Sequence, residues 1–402
     1  MKLIIRTKTS LILALIASLL ISCENNEFTE PTHIDHTLFV YMPWANDLTS
    51  CFETNISDLE SALKQKSDND VRVVVFFADS ENSASLYELR YVNKKVQQTD
   101  FTTYDVGTFV TSQGIASLIE DVRYYAPSDR YSMAIGAHGT GWIPVNRTSS
   151  SAADETGEYA PQYMPEKMHY EYKDGALTRY FGGGTAAYQI DITEFADGLK
   201  LADIQMEYIV FDDCYMANIE VAYDLREVTN HIIASPTEIM AFGFPYGEVG
   251  TYLLGDINYE AIVNRFLDFY STYVYPYATI GVIDCSELEN MAEIMLEINS
   301  DSGSTEPNTD NIQTMDGYSP TIFFDYGDYV SQLCTDTELL SQFQTSLDKL
   351  VIYKGCTSQY YSAIVGGAIN INSYSGITTS QPTEHYVSAY YINTNWYEDT
   401  HN

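Results

Sequence analysis

The chain has 402 residues and carries 20 Lys and Arg against 56 Asp and Glu, a formal net charge of −36. With 45% hydrophobic and only 19% charged residues it has the material for a large core, which excludes global disorder. The acidic excess repels phosphate backbones over a screening length of ~10 Å, so no nucleic acid is expected as a partner; basic proteins, basic peptides and divalent cations suit the charge better.

Lys2, Arg6 and Lys8 precede the apolar run 11–21, which has the length of an export signal and is short for a ~30 Å bilayer. The run closes on Leu20-Ile21-Ser22-Cys23, which looks like a bacterial lipobox. Residues 1–22 are therefore expected to be a signal peptide, Cys23 the lipidated new amino terminus, and residues 23–35 a polar tether. No later segment has 18 uncharged apolar residues, so the expected membrane contact is the lipid alone, at the periplasmic or surface face of the outer membrane.

A single folded body is expected over 36–402. Strand-length apolar runs at 38–42, 71–77, 131–137, 208–211, 231–234 and 279–284 alternate with helical patterns at 56–64, 112–124, 192–201 and 287–299. That rhythm predicts βαβ units: an α/β class with a mostly parallel sheet covered by helices on both faces. Two stretches break it. Residues 148–190 form a long insert of little periodicity, and residues 299–311 have the composition of a surface loop.

Two motifs sit where strands end. Ala137-His138-Gly139-Thr140-Gly141-Trp142 follows one apolar run, with glycines that permit a sharp turn and leave N–H groups uncovered. Tyr208-Ile209-Val210-Phe211-Asp212-Asp213-Cys214-Tyr215-Met216 is another run that passes through two acids and a cysteine. Ligands of open α/β sheets bind at the carboxyl ends of strands, so the two motifs are placed to meet. An imidazole or a helix amino terminus favours the thiolate of a cysteine whose free pKa is ~8.5. Cys214 is then a nucleophile, His138 the proton donor to a leaving amine, and the N–H groups of Gly139 and Cys214 the oxyanion site. Strand alternation puts Asp212 and Cys214 on one side and Asp213 on the other, with Asp212 able to floor a substrate pocket. Taken singly, a cysteine after an apolar run is usually a small buried hydrophobe and H-G-x-G a common turn.

The pair of blocks, His138 to Trp142 and Phe211 to Met216, resembles the two catalytic blocks of clostripain-family cysteine peptidases, relatives of caspases, legumains and gingipains. Tyr41-Met42 with Asn46-Asp47-Leu48, Ser235 with Glu238, and residues 391–396 resemble that family's flanking segments more loosely. The resemblance implies a caspase-like α/β/α sandwich, a Cys214–His138 dyad, and cleavage after Arg or Lys with Asp212 lining the basic-residue pocket. It also implies protein or peptide substrates bearing basic residues and stimulation in some members by calcium or another divalent ion, with no cofactor required. Self-cutting between the blocks would fall in the insert, where Lys167, Lys173 and Arg179 are candidates.

Two positions depart from the family pattern. Asp213 replaces a small residue and would oppose thiolate formation if close and unscreened, and Phe242-Gly243-Phe244 replaces a polar, Gly-rich segment. Cys51, Cys285, Cys334 and Cys356 show no C-x-x-C spacing, and neither H-E-x-x-H nor G-x-S-x-G occurs. Asp301, Asp310 and Asp316 lack a strict calcium-loop pattern and read as solvated, so no metal ligand set is assigned. The rival readings are a surface binding lipoprotein that keeps the fold without useful catalysis, and a related cysteine peptidase with another primary specificity such as Asn.

Overall fold

The computed structural model describes residues 32–145, 182–183, 186–302, 307–382 and 388–401. The expected signal peptide, Cys23, tether residues up to 31, most of the 148–190 insert, and Lys167, Lys173 and Arg179 lie outside the described residues, and the folded body begins at Ile34, two residues earlier than expected. Among the described residues no helix is long and apolar enough to cross a membrane.

A nine-stranded sheet organises the body. Its strands are β1 (Ile34–Met42), β2 (Val71–Ser80), β3 (Ser83–Val92), β4 (Lys95–Tyr104), β5 (Ser128–Gly136), β6 (Ile209–Asp212), β7 (His231–Ala234) and β8 (Thr279–Asp284). A two-residue strand, β9 (Phe324–Asp325), lies outside it, and β10 (Val351–Cys356) completes it. The order is β10-β8-β7-β6-β5-β1-β2-β3-β4. The inner five strands, β2-β1-β5-β6-β7, are parallel. One flank is closed by the antiparallel β3–β4 hairpin and the other by antiparallel β8 and β10. Strands covered on both faces read as continuous apolar runs, and the fully buried Leu38, Phe39, Val40, Val73, Val74 and Val75 do so.

Helices cover both faces, as the expected sandwich requires. On one face α1 (Thr49–Lys66) packs with α5 (Tyr246–Leu253), which packs with α6 (Tyr259–Thr272). A second set links α2 (Ser112–Tyr125), α3 (Ile192–Leu201) and α4 (Ile219–Leu225), then α11 (Asn395–His401), α7 (Leu288–Ser302) and α9 (Thr337–Leu350). The starts are written locally: Thr111, Asn218 and Asn258 each accept an N–H of the first turn of α2, α4 and α6. Ser67 adopts a left-handed φ of 53° and ends α1. The remaining short helices are α8 (Tyr326–Leu333) and α10 (Ser388–Tyr391).

At the amino-terminal end of the sheet His36 is fully buried on β1. Its Nε2 lies 2.9 Å from Ser132 Oγ, and its Nδ1 accepts the Gly255 N–H at 3.1 Å. Burial first, and the Arg130 guanidinium second, hold the imidazole down at about 4. A histidine whose folded pKa lies below its unfolded value adds stability that is complete above about pH 6.5 and lost as the pH falls towards 4. Buried Glu220 and Asp316, pushed up to about 7, and Asp224, pushed up to about 6, act with the opposite sign, stabilising on acidification. The histidine contribution is therefore visible only as a difference. Between pH 7 and 4.5 the wild type should lose about 2 kcal/mol more stability than His36→Gln, measured by urea unfolding; equal losses would remove His36 from the acid response.

Candidate active site

β5 and β6 run side by side with Gly136 opposite Asp212, so His138 and Cys214 occupy matching places two residues past each strand. The turns beyond the strands touch. A Cβ at position 139 would overlap the Cys214 carbonyl oxygen and stand 2.8 Å from Asp213 Cβ and 3.0 Å from the Cys214 nitrogen. Glycine at 139 is what lets the His138 turn lie directly on the Cys214 backbone.

The Cys214 turn is zipped to the segment following β7. The Tyr215 N–H donates to Thr237 O at 3.0 Å and the Ala217 N–H to Ser235 O at 3.0 Å. Tyr215 takes a left-handed φ of 61°, and Asn218 then caps α4 through the Val221 N–H at 2.9 Å. Cys214 is fully buried, and its Sγ accepts the Ile239 N–H at 3.4 Å. The Ile239 carbonyl oxygen also lies 3.9 Å from the sulfur, as an acceptor for the thiol. Cys285 is buried as well, and burial pushes its thiol well up.

His138 is 2% exposed, and its N–H donates to Gly182 O at 3.1 Å. Its Nε2 lies 3.0 Å from Oδ1 of Asp47, in the 3-10 turn Asn46–Leu48 that follows β1. The sequence singled out Asp47 only as part of a loose likeness; its contact with the imidazole joins the ends of the neighbouring strands β1 and β5 and has no local signal.

The two adjacent acids are held apart. Asp212 is fully buried, and its Oδ1 accepts the Phe244 N–H at 2.8 Å. Asn55 Nδ2 donates to Phe242 O at 3.3 Å and the Tyr270 hydroxyl to Gly243 O at 2.6 Å, so the apolar 242–244 segment is a fixed wall beside Asp212. Asp213 points instead to β5, accepting the Ala137 N–H at 2.6 Å. The residue expected to trouble the nucleophile thus ties the peptide before His138 to the peptide before Cys214.

Trp142, at the end of the first block, donates from Nε1 to Ser380 Oγ at 2.9 Å, and Glu220 accepts the Ser380 N–H at 3.0 Å. Among the described residues no group of three or more His, Cys, Asp or Glu side chains is arranged to hold a metal ion. Asp316, read from the sequence as solvated, is 2% exposed. It accepts the N–H groups of Tyr318, Ile322 and Phe323 at 2.8, 2.8 and 2.5 Å, because its own loop wraps around it.

A family profile described as Clostripain family matches residues 181–401. A secreted C11 cysteine protease from Bacteroides thetaiotaomicron, "iotapain", is 44% identical, with a TM-score of 0.82 over 92% of this chain and 100% of its own. The chain belongs to the clostripain family. The enzyme class expected from the sequence, cysteine endopeptidase, and the caspase-like sandwich are those of this family. A clostripain from Bacteroides thetaiotaomicron in complex with the peptide inhibitor BTN-VLTK-AOMK is 49% identical. Its TM-score is 0.53 over 55% of this chain and 99% of its own. An inactive zymogen C11 protease from Parabacteroides distasonis shares the fold at 23% identity, with a TM-score of 0.74 over 93% of this chain and 100% of its own. A search of curated proteins found no match.

Proposed function

We propose that this clostripain-family chain is an exported endopeptidase that cuts after Lys or Arg, with Cys214 as nucleophile and His138 as general acid and base. The observation that carries the reading is the packing of the Gly139 turn onto the Cys214 backbone, with the imidazole of the same turn held by Asp47. The thiolate attacks the scissile carbonyl carbon, and the carbonyl electrons move onto its oxygen. The N–H groups of Gly139 and Cys214 receive that oxyanion, each donor being worth ~3–4 kcal/mol in comparable sites. As the C–N bond breaks, His138 passes a proton to the departing amine, leaving a thioester. Water then gives a proton to His138 and attacks the thioester carbon, and the C–S bond breaks to release the acid and restore the thiolate and imidazolium.

Asp212 supplies the preference for basic residues. A buried carboxylate two residues before the nucleophile, beside the fixed 242–244 wall, offers charge-assisted hydrogen bonds to an ammonium or guanidinium. The inhibitor bound to the 49% identical relative carries VLTK, with Lys next to its reactive group, which supports the same choice here. Fluorogenic peptides with Lys, Arg, Asn and Asp at the cut position test the reading. Lys and Arg should exceed Asn and Asp in kcat/KM by about 100-fold, and Asp212→Asn should raise the KM for Lys by about 10-fold or more with a smaller change in kcat. No turnover of any peptide would favour the binding-protein rival, and a preference for Asn would move the primary pocket elsewhere.

Export with a lipid on Cys23 belongs to the same reading, supported by the lipobox-like sequence and by the relative described as secreted. Metabolic labelling with a fatty acid should mark the wild type and not Cys23→Ser; equal labelling of both would place the anchor elsewhere.

A further inference from the structure

Behind the nucleophile turn lies a buried carboxylate that the reaction does not use. Glu238 is 4% exposed. Its Oε1 accepts the Tyr215 hydroxyl at 2.7 Å, and its Oε2 accepts the Ala363 N–H at 2.9 Å. Tyr215 follows Cys214 directly and holds the left-handed φ of 61° that turns the chain there. Ile239 follows Glu238 directly, and its N–H is the one aimed at Cys214 Sγ. Ala363 opens the tip of a hairpin formed by β11 (Gln359–Ser362) and β12 (Gly367–Asn370).

That hairpin is rooted independently of Glu238. Tyr360 is buried, and its hydroxyl donates to Asp316 O at 2.8 Å. Asp316 in turn gathers the 318–323 loop, whose Phe323 ring stacks on Tyr215 at 5.1 Å. The hairpin and its supporting loop therefore press on Tyr215 from one side while Glu238 grips its hydroxyl. A non-glycine residue at positive φ persists only where its surroundings over-determine it.

We propose that Glu238 is a positioning residue: it braces the Cys214 turn against the β11–β12 hairpin, fixing Tyr215 in its left-handed conformation and Ile239 N–H on the sulfur. The role is geometric rather than electrostatic. A glutamine keeps both links, since its carbonyl oxygen accepts the Ala363 N–H and its amide donates to the Tyr215 hydroxyl oxygen, at the cost of the acceptor for the hydroxyl hydrogen. An alanine keeps neither.

This inference rests on Cys214 being the nucleophile, and the test separates the two. Two quantities are measured on the full chain: kcat and KM for a Lys peptide, and the rate of Cys214 alkylation by iodoacetamide, which needs no peptidase activity. Glu238→Ala should lower kcat about 10-fold or more with KM within about twofold, and slow alkylation in parallel. Glu238→Gln should keep both within about threefold. Tyr215→Phe, which loses one bond and keeps the ring stack, should fall between them and serves where Glu238→Ala does not fold. Equal losses in the glutamine and alanine variants would make the charge the cause and overturn the brace. Unchanged alkylation in Glu238→Ala and Tyr215→Phe would overturn it as well. A wild type that is alkylated normally but cuts no peptide would sink the catalytic reading and still leave the brace open to the alkylation test.

Discussion

Replacing Cys214 by alanine should abolish turnover, with kcat for a Lys peptide falling by on the order of 10⁶-fold, the scale on which loss of a covalent nucleophile is felt in other peptidases. The size follows from the site. The reaction needs a sulfur to carry the acyl group, and among the described residues no other thiol follows a strand beside the His138 turn. Cys285 is buried beside β8 and kept protonated by burial, and Cys51, Cys334 and Cys356 belong to other elements. Water left in place of the sulfur would have only the oxyanion donors and the imidazole to help it. Stability should change little by comparison, because the substitution removes one buried atom that accepts a long 3.4 Å hydrogen bond, a loss of about 1 kcal/mol. The variant should thus melt close to the wild type and bind Lys peptides with similar affinity while cutting none. A residual rate within tenfold of wild type would show that the nucleophile is another group.

How much of this was legible in the sequence depended on how local each feature is. The inner strands announced themselves because a parallel strand covered on both faces must be apolar throughout, as at Val71, Val73, Val74 and Val75. The β3–β4 hairpin and β10 gave no such signal. β4 is a sheet edge whose Lys95, Gln97, Gln98, Thr99 and Asp100 are exposed, and of β10 only Val351 is buried. Edges of this kind carry polar residues that resist pairing with other chains, and composition alone does not separate them from loops. Helices α5, α6, α8 and α9 are absent from the predicted elements, although in α6 the buried Ile262, Val263, Phe266 and Tyr270 keep one helical face.

The site divides in the same way. His138 and Cys214 were readable because each lies in a short strand-to-turn motif. Their supports were not, being set by tertiary contacts: Asp47 meets a ring 91 residues away, Asp213 a peptide 76 residues away, and Glu238 a peptide 125 residues away. For Asp213 the sequence supplied a charge and no direction. Its contact with the Ala137 N–H turns an apparent liability into a tie between the two turns.

The second large effect is expected at the imidazole. His138→Ala should lower kcat by about 10²- to 10⁴-fold, the usual contribution of a positioned general acid and base, with little change in KM because the ring donates to the departing amine late in the step. Asp47 grades the same effect. With its Oδ1 at 3.0 Å from Nε2, it favours the tautomer that carries hydrogen on Nε2, which leaves Nδ1, on the other edge of the ring, for the proton transfers of the proposed mechanism. Its carboxylate also stabilises the imidazolium. The side chain is 41% exposed, so solvent screens much of that charge, and Asp47→Asn should cost only about 10-fold in kcat. The sign of the accompanying pH effect is fixed. Removing an anion beside the ring makes the imidazolium easier to deprotonate, so the alkaline limb of the kcat profile should move to lower pH in Asp47→Asn. Parallel losses of rate at every pH would mean that Asp47 only orients the ring, and an unchanged rate in His138→Ala would take the proton-transfer role away from His138 altogether.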